Sequence, residues 1–354
     1  MKSLLTLIAT LFFGFQVGNS AVLTVSNHPA GGAQYPSLRS AVDAASPGDT
    51  LLVEGTDIPY HLDHQCNVHW SKSLTVIGIG FNPNKDMPKR TKFQNTHCGS
   101  GDHFYIAGSA GGSKFYGIEF LNQIHVLQTA NSLHFENCKF NNTVKFNAAG
   151  QSLGFANCVF DLNDGNNLYF SSPGSVISAL ITNCIFDGYI EGSGGTYNAI
   201  SVQHCVFLSN TTSFSDLGYA QIRDNIFVNA FPGGTFLSDY DNNLALPVGS
   251  FPPAPESGNT GSDNIETSDP LFVSYTSGSR YTTQHDFDLQ AGSPAIGSAS
   301  DATDIGVHGG SLSFSETGEV LIVPIVREMS ILNSSVAPNG TLNVAVRATV
   351  PSTD

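Results

Sequence analysis

Four residues near the middle of the chain could carry acid–base chemistry: His134, Glu136, Lys139 and Arg223. A basic side chain beside a substrate can take up a proton, and a carboxylate can orient that base or balance its charge. His134 and Glu136 are two residues apart, so their side chains point to the same face of a β-strand. Arg223 and Asp224 are adjacent and point to opposite faces, which weakens them as a pair. Solvated surface positions explain all of these residues without catalysis.

A second set of residues could bind an extended ligand: Lys145, Asp164, Tyr169 and Tyr189. The last three lie in or beside two longer loops, at 161–167 and 187–197. Loops that project repeatedly from one side of a fold often build a binding face. The sequence therefore predicts a lateral binding surface near these loops.

Four aspartates could offer oxygen ligands to Ca²⁺: Asp161, Asp164, Asp301 and Asp304. The segment 161–166 reads D-L-N-D-G-N and lacks the alternating ligand positions of an EF-hand loop. Asp and Asn also form turns through local hydrogen bonds, which explains them without a metal. No cofactor is predicted, and Ca²⁺ stays as the alternative.

The elements that must position these residues come from an internal repeat. Five segments alternate apolar and polar residues up to an Asn-Cys-x-Phe anchor or a close variant: 133–140, 155–160, 181–186, 202–207 and 222–227. Their anchors at 138, 158, 184, 205 and 225 are separated by 20, 26, 21 and 20 residues, and a period near 20 is typical of a solenoid. Earlier rungs fit 115–120 and 76–81, with a weaker one around Cys98. The alternation changes phase at the Asn, which predicts two short strands meeting at a bend in each coil of a parallel β-helix.

Each anchor position has a predicted role. Asn tolerates a left-handed backbone and suits the bend, where stacked Asn side chains would form a ladder. The repeat cysteines lack C-x-x-C spacing and are interpreted as buried free thiols. Cys66 and Cys98 lie outside the repeat and could form a disulfide, although spacing does not establish the pairing. One interior column is predicted from five aromatic residues: Phe140, Phe160, Phe186, Phe207 and Phe227.

The N-terminus and the composition indicate an exported protein. Residues 1–21 combine Lys2, an apolar run over 4–17 and small residues, as in a signal peptide. No later segment is long and apolar enough to predict membrane insertion. With 14 basic and 29 acidic residues, the net charge of −15 disfavours nucleic acid and anionic membranes as partners. An extracellular polysaccharide or a cell-surface glycan, neutral or bridged by Ca²⁺, is the partner class left open.

The remaining segments have predicted places in the fold. A helix over 36–45, with Leu38, Ala41, Val42 and Ala45 on its apolar face, is expected to cap the first coil. Coils are predicted over 61–231, a loop over 247–269, and the last coils with an exit cap over 269–310. Residues 22–315 would form one β-helix domain. Residues 316–354 would begin a further β module that the chain does not complete.

Several segments resemble a known group of proteins. The segments are 35–53, 72–78, 269–272 and 292–297, together with the Asn-Cys-x-Phe coils. They resemble the secreted right-handed parallel β-helix repeat proteins of bacteria and, more broadly, the pectate-lyase-like superfamily. The resemblance covers most of residues 22–315. It implies an all-β, right-handed parallel β-helix with an N-terminal capping helix and a short C-terminal β tail.

Fold alone does not assign a function, because this superfamily includes lyases, esterases, hydrolases, tailspikes and adhesins. The Asp-Asp and Gly-His-Gly motifs of polygalacturonase-like enzymes and the Trp-x-Asp-His motif of pectate lyases are absent from the sequence. The first hypothesis is therefore a non-catalytic exported protein that binds an extended glycan along its lateral face. The alternatives are a polysaccharide lyase or glycoside hydrolase, and a structural stalk or adhesin.

Overall fold

The computed structural model describes residues 20–29, 32–62, 69–82, 89–95, 103–162, 165–171, 177–194, 199–208, 211–246, 250–312, 314–319, 325–331, 340–341 and 343–349. The signal peptide prediction and the Cys66–Cys98 pairing both fall outside these residues. Within them the chain forms a parallel β-solenoid of about eight turns. The predicted all-β solenoid fold is confirmed.

Three parallel sheets run along the solenoid, and a complete coil contributes one short strand to each. In the described residues, sheet 1 has 11 strands: Val22–Val25, Thr50–Val53, Thr75–Ile77, Lys114–Tyr116, His134–Glu136, Gly150–Ala156, Ile177–Thr182, Ala199–Gln203, Ala220–Arg223, Asp239–Asp241 and Thr260–Ser262. Over the same ranges sheet 2 has eight: Lys92–Phe93, Glu119–Phe120, Lys139–Phe140, Val159–Phe160, Ile185–Phe186, Val206–Phe207, Ile226–Val228 and Leu244–Leu246. Sheet 3, counted in the same way, has seven: His69–Trp70, His103–Ile106, Gln123–Val126, Val144–Phe146, Asn166–Phe170, Tyr189–Glu191 and Phe214–Ser215.

The interior is a column of stacked rings. Consecutive ring centroids from Phe140 through Phe160, Phe186 and Phe207 to Phe227 are 4.8, 4.4, 4.9 and 5.0 Å apart, and all five residues are buried. The predicted interior column is confirmed. One coil stacks on the next at the strand spacing of about 4.8 Å, so identical side chains at identical positions must lie above one another.

The bend between sheets 1 and 2 has the predicted left-handed backbone. The φ angles of Asn137, Asn183, His204 and Asp224 are 53°, 51°, 49° and 58°. The backbone N–H of each donates to a carbonyl of the next coil, as Asn137 does to Ala156 at 3.0 Å. Asn tolerates this conformation because its short polar side chain relieves part of the steric cost.

The predicted ladder of bend side chains is wrong for the two Asn residues whose contacts are described. Asn137 Nδ2 donates to the carbonyl of Glu319, and Asn183 Nδ2 donates to the carbonyl of Val307, instead of to the Asn of the next coil. A ladder does form at the next position inward. There Asn225 Nδ2 donates to Asn243 Oδ1 at 3.0 Å, which continues the stack begun by the repeat cysteines.

The four repeat cysteines are buried free thiols, as predicted: Cys138, Cys158, Cys184 and Cys205. Cys158 Sγ donates to the carbonyl of Ala156 at 3.2 Å. Burial raises the pKa of Cys138, Cys158 and Cys184 well above the usual range of a thiol. These thiols therefore act as small apolar side chains rather than as nucleophiles.

Both ends of the core are covered. The helix Leu38–Ala44 begins at the N-cap Ser37, whose Oγ accepts from Ser40 N at 3.1 Å, and it confirms the predicted N-terminal cap. Lys72 Nζ donates to the carbonyl of Ala45 at 2.7 Å just beyond the other end of the helix. At the far end of the solenoid, Phe251 packs on Phe227 and Tyr240, with centroid distances of 6.1 and 5.9 Å.

Two predictions about coil number are wrong. The strand Thr75–Ile77 pairs directly with Lys114–Tyr116, so no rung around Cys98 lies between them in sheet 1. The segment 269–310 does not form the last coils and an exit cap either, because the last strand of sheet 1 is Thr260–Ser262.

After this strand the chain turns back along the outside of the solenoid as a strap, which we define as residues 269–312 and 314–319. The strap contains one antiparallel pair, Phe272–Ser274 with Asp286–Leu289. Backbone groups of the strap form hydrogen bonds with bend side chains of three coils. Ser300 bonds to Asp224, Val307 to Asn183, and Glu319 to Asn137. The strap covers the outer face of sheet 2, where apolar residues from both sides form a second core: Val159, Ile185, Val206, Ile226, Phe272, Phe287, Ile305 and Val307.

The other described elements are short. Leu217–Gly218 pairs in parallel with Thr235–Phe236, and Gly108–Ala110 and Pro255–Ser257 are 3₁₀ turns. A C-terminal β tail is present as the antiparallel strands Ile325–Ile331 and Val344–Thr349. None of the helices in the described ranges has the length and apolar character needed to cross a membrane.

Candidate functional site

The outer face of sheet 3 carries a row of aromatic and charged side chains. Strand alternation buries Trp70, Phe104 and Ile124 and leaves the residues beside them half-buried at the surface. One residue per coil lies in register along this face: His69, Tyr105, His125, Lys145, Tyr169 and Glu191. We call these six residues, with the neighbouring His103 and Tyr189, the aromatic strip.

Four rings of the strip are in contact with one another. His69 and Tyr105 have centroids 5.3 Å apart, Tyr105 and His125 5.8 Å apart, and His103 stacks on His125 at 4.1 Å. Lys145 Nζ lies 5.0 Å from the centroid of the Tyr169 ring, within the range of a cation–π interaction. The strip thus consists of a cluster of four rings, followed by Lys145 packed on the Tyr169 ring.

The electrostatics of the strip keep one of its imidazoles neutral. Burial, reinforced by His103 and Lys145, lowers the pKa of His125 from 6.5 to about 4. Burial, followed by the nearby Asp216, raises the pKa of Glu191, whose carboxylate accepts a hydrogen bond from Asn166 Nδ2. Within the described residues, His103 Nδ1 and His125 Nε2 have no hydrogen-bond partner. Both nitrogens are buried, so they are not open to a ligand.

The lowered pKa of His125 predicts an acid-sensitive fold. Between about pH 6.5 and 4 the unfolded chain binds a proton at this residue that the folded chain does not bind. The contribution of neutral His125 to the stability of the fold is complete above about pH 6.5 and is lost as the pH falls towards 4. We expect His125→Gln to reduce the decrease in Tm between pH 7 and pH 4.5 by a few degrees, measured by thermal denaturation. The control is His28→Gln, at an exposed position, and equal pH slopes for wild type and His125→Gln would contradict the prediction.

The predicted acid–base residues are brought together only in part. His134 Nε2 lies 3.0 Å from Glu136 Oε2 on the outer face of sheet 1, and the Tyr116 ring is 5.8 Å from the His134 ring. The His134 ring lies over Gly154 of the next coil, where a methyl group would come within 2.4 Å of Nδ1. Only a glycine leaves room for the imidazole at this position.

The other two acid–base candidates lie elsewhere. Arg223 lies four strands away from Glu136 along sheet 1, and neighbouring strands are about 4.8 Å apart. Its guanidinium instead lies 3.5 Å from the Asp241 carboxylate. Lys139 is on sheet 2 and is buried under the strap, with Nζ 2.8 Å from Asp161 and 5.6 Å from the Tyr281 ring centroid. Lys139 points outward from its coil, but the strap covers it, so the predicted solvated position is wrong for this residue.

The predicted calcium ligands are used in other ways. Asp161 pairs with Lys139, Asp301 accepts from Thr303 N at 3.0 Å, and Asp304 accepts from Gly297 N at 2.8 Å. Asp164 lies outside the described residues. Over the described ranges, no cluster of three or more His, Cys, Asp or Glu side chains is arranged to hold a metal ion.

Comparison with known proteins supports the fold. No family model matches this chain, and no curated protein sequence matches it. Among solved structures, the pectate lyase Pel9A matches with a TM-score of 0.52 and 15% identity, over 81% of this chain and 96% of that one. This chain folds as a pectate-lyase-like β-helix.

Two other solved structures are more distant matches. A rhamnogalacturonan lyase gives a TM-score of 0.46 at 12% identity, over 77% of this chain and 97% of that one. The pectin methylesterase from Aspergillus niger gives 0.30 at 14% identity, over 81% and 94%. The likeness to Pel9A extends to the fold alone, so the function of this pectate-lyase-like β-helix must be argued from its own surface.

Sequence reasoning found part of the strip and missed the rest. Lys145, Tyr169 and Tyr189 were singled out, and all three lie on the strip. The missed residues are His69, His103, Tyr105, His125 and Glu191. A signal was present, because 103–106 and 123–126 alternate polar or aromatic residues with buried apolar ones. The strands of sheet 3 lack the Asn-Cys-x-Phe anchor, so their register could not be aligned from the repeat.

Proposed function

We propose that this protein acts outside the cell and binds an extended glycan along the aromatic strip. The observation that carries the proposal is the in-register row on the outer face of sheet 3, in which four of six positions carry a ring: His69, Tyr105, His125 and Tyr169. The C–H faces of a sugar are apolar and pack on the faces of aromatic rings. Tyrosine hydroxyls supply the few directed polar contacts that fix a ligand's orientation.

Charge favours a neutral glycan. The chain has a net charge of −15, Glu191 adds a carboxylate to the strip, and Lys145 is already placed against the Tyr169 ring. A polyanionic sugar chain would be repelled by the net negative charge of the protein and by the Glu191 carboxylate. A neutral polysaccharide avoids that repulsion and keeps the ring contacts.

The test is the removal of one ring. We expect Tyr169→Ala to weaken binding to a neutral polysaccharide about tenfold, because an aromatic contact contributes about 0.5–1.5 kcal/mol beyond its buried area. The measurement is isothermal titration or affinity electrophoresis against soluble xylans, glucans, mannans and galactans, with polygalacturonate as the acidic comparison.

Tyr116→Ala is the matched control, since Tyr116 is a half-buried tyrosine on the outer face of sheet 1. The control should bind like wild type. If wild type binds no member of the panel, or Tyr169→Ala binds as tightly as wild type, the proposal fails.

One observation supports a second candidate function, a polysaccharide lyase or hydrolase that acts on sheet 1. His134 and Glu136 form a hydrogen-bonded acid–base pair beside Tyr116. An assay for unsaturated products and new reducing ends separates this function from binding alone, and activity that disappears in Glu136→Gln would favour the enzyme. A stalk or adhesin role predicts neither a specific glycan nor activity.

A further inference from the structure

A patch of large apolar side chains is exposed at the corner between sheets 3 and 1, near the C-terminal end of the solenoid. We define this corner patch as Tyr219, Phe236 and Leu237. Tyr219 is 44% exposed and Leu237 49%. The parallel pairing of Leu217–Gly218 with Thr235–Phe236 stacks Tyr219 on Leu237, and the Tyr219 and Phe236 rings meet edge to face at 6.0 Å.

Two residues of the patch have a backbone conformation that is unfavourable for their type. The φ angles of Tyr219 and Leu237 are 57° and 49°, in the left-handed region. Most other left-handed non-glycine residues in the described part of the chain are Asn, Asp or Ser, which accept this region more readily. Exposed tyrosine and leucine at these positions improve neither the backbone nor the core. An outlier of this kind is a reason to look for a function at the position.

Glycines lie beneath the patch. A methyl group on Gly218 would come within 2.3 Å of the Phe236 ring. One on Gly258 would come within 2.6 Å of the Leu237 side chain. Each of these apolar groups therefore lies directly on the main chain. The patch thus forms a platform that packs closely on the backbone.

Polar groups border the platform on the side of sheet 1. Gln221 and Asp239 are register partners, each two residues beyond a patch residue, and Thr260 Oγ1 donates to Asp239 Oδ1 at 2.8 Å. An amide, a carboxylate and a hydroxyl beside aromatic rings match the hydroxyl rim and the apolar face of a pyranose. We propose that the corner patch is a second carbohydrate subsite, which takes a neutral sugar residue of the glycan bound by the strip. This inference rests on the proposed function.

The strained backbone allows a test that separates binding from folding. Asn accepts a left-handed backbone more readily than Tyr or Leu. The variants Tyr219→Asn and Leu237→Asn should therefore leave Tm unchanged or raise it. A loss of about tenfold in affinity is expected for each variant. Ser132→Asn is the matched control, because Ser132 is an exposed left-handed residue with φ 57° away from the patch, and it should bind like wild type.

The probes are neutral oligosaccharides of the backbone type that wild type binds, titrated by calorimetry and by saturation-transfer NMR on the tyrosine rings. If Tyr169→Ala loses affinity but Tyr219→Asn and Leu237→Asn do not, the subsite is refuted and the strip stands. If the corner variants lose affinity and Tyr169→Ala does not, the strip is refuted and the corner remains as the site. If the corner variants instead convert a dimer to a monomer in light scattering without a change in affinity, the patch is a self-association surface and the inference is wrong.

Discussion

Replacing Phe160 by alanine is expected to lower the free energy of unfolding by about 3–5 kcal/mol, the range typical of a buried Phe→Ala change. Phe160 is fully buried between the rings of Phe140 and Phe186, at 4.8 and 4.4 Å. Its removal leaves a cavity inside the column. The coils above and below are held at the strand spacing by backbone hydrogen bonds, so the cavity cannot close by a shift of the neighbours.

Urea denaturation followed by far-UV circular dichroism measures this effect. Phe231→Ala is the control, because its side chain is 44% exposed and its removal creates no interior cavity. The control should change the free energy of unfolding by less than about 1 kcal/mol. A cost below about 1 kcal/mol for Phe160→Ala would mean that the column does not support the solenoid.

Removal of the Phe287 side chain is expected to release the strap before the coils unfold. Phe287 is 2% exposed and lies at the centre of the strap's aromatic cluster, with ring centroids 5.2 Å from Phe272 and 5.5 Å from Tyr275. Phe287→Ala should destabilise the strap by about 3–5 kcal/mol. The outer face of sheet 2, with Val159, Ile185 and Val206, would then meet water and bind hydrophobic dyes.

Limited proteolysis with mass spectrometry, together with dye fluorescence, tests this result. Cleavage within the strap should accelerate while the coils stay protected. Val273→Ala, at a 50% exposed position of the same hairpin, is the control and should digest like wild type. Unchanged strap cleavage in Phe287→Ala, or simultaneous digestion of strap and coils, would show that the strap and the solenoid unfold as one unit.

The sequence was a good guide where one position repeats in every coil. The interior column of Phe140 and its equivalents, the left-handed bend at Asn137 and the buried thiols followed from the period of the anchors alone. Stacking at a fixed spacing forces equivalent residues into equivalent environments. The capping helix followed from its own local signal, the apolar face formed by Leu38, Ala41, Val42 and Ala45.

The sequence was a poor guide where a segment contacts residues far along the chain. The strap places Val307 against Asn183 and Glu319 against Asn137, 124 and 182 residues apart. No local pattern distinguishes such a segment from one more coil, since both alternate apolar and polar residues. For the same reason, the sequence did not predict that Tyr281 of the strap covers Lys139.

The sequence by itself determined the solenoid, its bend and its core, because a period near 20 residues leaves one way to stack the coils that buries the Phe of every repeat anchor. Only the tertiary structure decided which outer face is covered and which is open. That choice depends on the strap's packing against the apolar outer face of sheet 2, which leaves His125, Lys145 and Tyr169 on sheet 3 at the surface. Backbone pairing between neighbouring coils aligns these three side chains. Because the coils differ in length, this alignment cannot be derived from the sequence spacing.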